Sequence, residues 1–72
     1  MAKYDARADA AAIAKMVRFH ARKGNCGNAN SWLYRINERK YAATRKAMKK
    51  ATIRRLNELI DRCYVKFDPR RR

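Results

Sequence analysis

The chain has 72 residues, with 20 Lys and Arg against 6 Asp and Glu and a formal net charge of +14. That length allows one domain at most, with a small core and marginal stability. Charged residues make up 36%, above the usual ~25%, and no apolar run approaches the ~18 residues a membrane span requires.

The opening Met1-Ala2-Lys3-Tyr4-Asp5 lacks the charged-then-apolar layout of a secretion signal. Residues 5–23 are then predicted to be a helix. Asp5 is a natural N-cap, and Asp9 suits the positive end of the helix dipole. Ala6, Ala10, Ile13, Val17 and His20 recur at three- and four-residue spacing, with Met16 beside them, giving one apolar face. Arg18, Arg22 and Lys23 suit the negative end, and Gly24 is the residue expected just past it.

Residues 24–30, Gly-Asn-Cys-Gly-Asn-Ala-Asn, are predicted to be a loop because Gly and Asn favour turns. Cys26 lies in this loop and Cys63 far along the chain. Two such distant cysteines read as free thiols in a reducing compartment, since small secreted domains normally carry four or more; the alternative is a single disulfide tying this loop to the last helix. The expected location is therefore the cytoplasm.

Asn30 or Ser31 is expected to cap a second helix beginning at Trp32. From Trp32 to Val65 there is neither Gly nor Pro. Yet Leu33 and Ile36 project to one side, and Tyr41, Met48, Thr52, Leu56, Leu59 and Cys63 to another. A kink is therefore predicted between Lys40 and Thr44, followed by a long helix ending near Tyr64. Asp68-Pro69 stops it, and residues 68–72 form a basic, disordered tail. The expected fold is all-α: a single helical domain over 1–67, arranged as a two- to three-helix bundle. Its form would be a helical hairpin with a long, kinked C-terminal helix.

Nine of the twenty-one residues from Arg35 to Arg55 are Lys or Arg, with Glu38 the one acid among them. Such crowding is self-repulsive unless an anion compensates it. A solvated helix face would carry Glu four residues from its Lys and Arg, and those partners are nearly absent. The candidate binding residues are Arg35, Arg39, Lys40, Arg45, Lys46, Lys49, Lys50, Arg54 and Arg55. On a continuous helix, Arg35, Arg39, Lys46, Lys49 and Lys50 would share one face. Tyr34 is the candidate for stacking on an unpaired base; Trp32 and Tyr41 are assigned to the core.

Residues 43–57 resemble part of a helix-turn-helix. With Ala47 at the turn position, Ala43 falls at the small-residue position and Met48, Ile53 and Leu56 at apolar ones. Residues 51–57 then look like a recognition helix. Lys46 stands where an apolar residue belongs and no Gly makes the turn, so no family is assigned. In composition alone the chain is similar to small helical ribosomal proteins and short virus-encoded regulators.

No catalytic or metal-binding pattern is present. His20 lies on an apolar face, and His20, Cys26 and Cys63 lack the paired spacing of a metal site. No phosphate-binding glycine loop fits around Gly24 and Gly27. The expectation is a non-enzyme without cofactor that binds nucleic acid, RNA ahead of DNA, through phosphate contacts. The alternative is a regulator that docks its basic face on an acidic surface of a polymerase, nuclease or ribonucleoprotein. Association with a membrane surface is disfavoured, because the large apolar residues are needed inside. Homodimerisation through the Ala-rich first helix is compatible with either reading.

Overall fold

The computed structural model describes residues 5–67. They form four helices: α1 (Ala6–Arg22), α2 (Cys26–Tyr34), α3 (Ala42–Ala47) and α4 (Lys50–Phe67). Two single 3₁₀ turns, Arg35–Asn37 and Arg39–Tyr41, link α2 to α3. Among the described residues there is no strand, so the fold is all-α. The predicted tail, residues 68–72, lies outside the described residues.

The first helix forms as its residues dictate. The Asp5 carboxylate accepts from the backbone N–H of Arg7 and Ala8 at 3.0 and 3.2 Å. At the other end Gly24 takes φ +83°. This closes a Schellman turn, with Gly24 N–H donating to Ala21 O at 3.1 Å and Asn25 N–H to His20 O at 2.8 Å. The buried face is Ala10, Ile13, Ala14, Val17 and Ala21. His20 is half-buried, with its ring edge-on to Phe19.

The predicted loop is a correction. All but its first two residues are helical, because α2 already begins at Cys26. Its sequence is a poor helix former, and burial overrides that: Cys26, Ala29 and Leu33 all point into the core. The free thiols are a second correction. Cys26 and Cys63 form a disulfide across 37 residues, with Cα atoms 5.7 Å apart. Cys26 is buried. With both cysteines paired, nothing in the thiol chemistry points to a reducing compartment.

The predicted single kink is replaced by two breaks, at Glu38 (ψ 142°) and Met48 (ψ 134°). Neither needs Gly or Pro. Ile36, Thr44 and Met48, at and around these breaks, are all buried. At Thr44 the hydroxyl donates to Asp9 Oδ2 at 2.9 Å, fixing α3 against α1. The long final helix then runs to Phe67, three residues beyond the expected end.

α1 is the hub, with α2, α3 and α4 packed on it. α3 and α4 do not approach each other closely, so the corner of a helix-turn-helix is not formed. One core of buried residues joins α1, α2 and α4 with Ile36 and Met48 from the connecting segment, and Trp32, Ile53, Leu59 and Tyr64 pack at its margin. Tyr41 is half-buried in its 3₁₀ turn. No helix of the described residues is long and apolar enough to cross a membrane.

Candidate nucleic-acid interface

α1 and α4 lie side by side and run in the same sense. Arg7, Ala10 and Ala14 share one cavity with Met48, Lys49 and Thr52. Further along, Arg18, Ala21 and Arg22 share another with Leu59, Arg62, Cys63, Lys66 and Phe67. The two cavities, of about 510 and 360 Å³, lie at successive levels between α1 and α4 and together are called the α1–α4 groove. From Arg7 to Arg22 the groove extends for roughly 22 Å at 1.5 Å per residue.

Its chemistry is one-sided. The walls are Arg7, Arg18 and Arg22 from α1, Lys49 from the turn, and Arg62 and Lys66 from α4. Arg55 lies two turns before Arg62 on the same flank of α4. The floor is apolar at the end nearer Phe67: Ala21, Leu59, the Cys63 end of the disulfide, and Phe67. No acidic residue lines either cavity. Phe67 remains 48% exposed and Phe19, beside Arg18 and Arg22 on the outer face of α1, 47%. Both rings are therefore accessible next to cations.

The acids are committed elsewhere. Asp5 caps α1, and Asp9 accepts from Thr44. Glu58 and Asp61 sit around a shallow depression with Arg62 on the outer side of α4. Among the described residues one ion pair is present, Lys40 to Glu38 at 3.9 Å, and both side chains are exposed. An exposed pair at that distance contributes little. The positive charge is therefore not neutralised within the described part of the molecule.

The sequence-predicted residues are all exposed, but the breaks at Glu38 and Met48 scatter them. The shared face expected on a continuous helix is not formed. Arg35 lies over the Trp32 ring at 4.0 Å, and Lys40 over Tyr41 at 5.5 Å. Lys49 lines the α1–α4 groove, and Arg55 lines neither of its cavities. Arg45 and Tyr34 meet instead at a separate pocket of about 170 Å³ on the other flank of α4. Its walls are Leu33, Ile36 and Ile53, and its rim carries Asn30, Asn37 and Asn57. Arg39, Lys46, Lys50 and Arg54 make no side-chain hydrogen bond or ion pair among the described residues.

Against known proteins, the chain matches no protein-family model, no curated protein and no solved structure.

The residues that sequence reasoning missed are Arg7, Arg18, Arg22, Arg62, Lys66 and Phe67. A signal existed. Arg18 and Arg22 are four apart, and so are Arg62 and Lys66, so each pair stacks on one flank of its helix. Nothing in the sequence says that those two flanks face one groove. No three metal-ligating side chains converge among the described residues. What the groove offers is two rows of cations over an apolar floor. Cations in two rows over an apolar floor are chemically suited to anionic groups joined by apolar or flat ones.

Proposed function

We propose that this protein binds single-stranded nucleic acid, RNA ahead of DNA, along the α1–α4 groove. The observation that carries this reading is the groove's lining: six cations, no acid, and an accessible aromatic ring at one end. Each phosphate seated on a cation releases condensed counterions, which drives binding without regard to sequence. Phe67, on the floor beside Arg62, is half-exposed with the Lys66 ammonium 5.3 Å over its ring, and an unpaired base reaches that ring when the ammonium moves onto a phosphate. Duplexes keep their bases stacked and give that ring nothing to do, and unpaired targets are the usual substrates of RNA recognition.

A second reading has its own support. Val65 and Phe19 are 54% and 47% exposed, and apolar side chains among cations also fit an acidic protein surface. A regulator of that kind docks on one protein through such anchors. A nucleic-acid binder tolerates many sequences.

The test is binding of labelled oligonucleotides to protein freed of nucleic acid at high salt. Single-stranded RNA, single-stranded DNA and a duplex are compared at two salt concentrations. The expected order is RNA, then DNA, then duplex, with affinity falling steeply as salt rises. Replacing Arg18, Arg22, Arg62 and Lys66 by Gln should reduce the log–log salt slope by about 3, at ~0.7 per phosphate contact on single strands. Absence of binding at low salt overturns the reading.

A further inference from the structure

We infer that the pocket beside Arg45 is a base-reading site that takes an unpaired guanine. This rests on the nucleic-acid reading above and adds sequence preference to it.

At about 170 Å³ the pocket exceeds what one or two waters fill, at ~30 Å³ each. Its rim is unusual for so charged a chain: three of the five Asn residues converge there, with one cation and no acid. They come from α2, the 3₁₀ turn after it and α4, and across the breaks at Glu38 and Met48 they meet Arg45 of α3.

Two hydrogen bonds fix which atoms remain for a ligand. Arg45 Nη1 donates to Asn37 Oδ1 at 2.7 Å. A guanidinium has no acceptor, so the amide oxygen must face it. Asn57 Nδ2 donates to Ile53 O at 3.1 Å. A carbonyl has no donor, so Asn57 Oδ1 is left as an acceptor. The pocket therefore offers the remaining N–H groups of a positioned arginine on one side and a carboxamide oxygen on the other.

Guanine matches that pair. Its N7 and O6 accept from an arginine fork. Its N1–H and N2–H₂ donate on the adjoining edge, where Asn57 Oδ1 would accept. Adenine presents an amino group where guanine has O6, and would set donor against donor. Tyr34, 63% exposed at the rim, gives the base a ring to lie on.

The position suits a strand already held by phosphates. Arg45 lines this pocket and Lys49 lines the α1–α4 groove. Four peptide units separate them, at most about 14 Å of backbone. One strand crossing the turn between α3 and α4 reaches both.

The experiment uses the full chain and ten-nucleotide uridine RNA strands carrying one central G, A or C, with the all-uridine strand as reference. The expected result is binding of the guanine strand about tenfold tighter than the others. Adenine is the control that separates base reading from purine stacking. In N57A, which is exposed and helical and so should fold, the guanine preference collapses to the adenine level. R45A should lose the preference as well. Equal binding of all four strands by the native protein overturns this inference and leaves the groove reading standing. So does a guanine preference that survives in N57A. Failure of every strand to bind at low salt overturns the groove reading, and this inference with it.

Discussion

The ring of Phe67 lies on Gly24: a Cβ added to the glycine would stand 3.1 Å from Phe67 Cδ1. The last residue of α4 is thereby packed on the turn that ends α1, and the same ring closes one end of the basic groove. Gly24 also has φ +83°, which costs a non-glycine residue about 1–2 kcal/mol. Gly24→Ala should therefore lower stability by about 2 kcal/mol. At 4–8 °C per kcal/mol for a domain this size, Tm falls by about 10 °C. Gly27→Ala should do the reverse. Gly27 is helical with nothing within 4 Å of its added Cβ, and Ala is favoured there by up to ~1 kcal/mol. Thermal melts of the two variants, opposite in sign, check both statements. A Gly24→Ala protein as stable as the native one would mean that the turn is built differently.

The disulfide joins the start of α2 to the last third of α4. Closing a loop of 37 residues' separation removes unfolded-state entropy worth about 4 kcal/mol in the chain-entropy account. For a domain whose whole stability is of the order of 5–10 kcal/mol, that is a large share. Cys26→Ser together with Cys63→Ser should lower the urea midpoint sharply, and a reducing agent should do the same to the native protein. Retention of the native midpoint under reduction would show that the apolar core suffices alone. Cys63 also floors the groove beside Ala21 and Leu59, so the loss should weaken oligonucleotide binding as well.

What was legible in the sequence divides by the kind of physics involved. α1 was readable from end to end, because cap, apolar period and terminating glycine are all local. The body of α4 was readable for the same reason. α2 was not. Gly27 and Asn28 argue for a loop, and the helix exists because Cys26, Ala29 and Leu33 are buried by other parts of the chain. The breaks at Glu38 and Met48 were equally hidden, since no Gly or Pro marks them. At both the backbone turns extended, and in the folded chain Thr44 meets Asp9 and Met48 enters the core. The interface was half legible. Charge density along the chain drew attention to residues 35–55, and charge density in space also involves Arg7, Arg18, Arg22, Arg62 and Lys66. Those five are dispersed in sequence and gathered by the side-by-side packing of α1 and α4.

Thr44 is fully buried and its hydroxyl donates to the Asp9 carboxylate. A hydrogen bond to a charged acceptor contributes about 1.5–3 kcal/mol, and its loss leaves that acceptor underpaired. Thr44→Val keeps the shape and removes the donor, so the expected loss is about 2 kcal/mol. Thr44→Ser keeps the donor and removes one methyl, an expected loss of about 1 kcal/mol. Urea unfolding should therefore rank native above Ser above Val. Val above Ser would mean that the methyl packing, and not the bond to Asp9, holds α3 in place.

Lys46, Lys49 and Lys50 surround the turn at Met48, all exposed. Lys46 and Lys50 make no side-chain partner among the described residues, while Lys49 lines the groove. Surface changes of this kind usually move stability by less than about 0.5 kcal/mol. Binding is another matter. The turn lies between the groove and the Arg45 pocket, so any strand that uses both must cross these three ammonium groups. Reversing all three to Glu changes the local charge by six units and sets carboxylates against phosphates. Oligonucleotide binding should be abolished at physiological salt, while the circular-dichroism spectrum stays native. Reversal of Glu58 and Asp61 to Lys, on the outer side of α4, should by contrast strengthen binding only slightly and in a strongly salt-dependent way. A triple variant that binds like the native protein would separate the groove from the pocket and leave the strand no path across this turn.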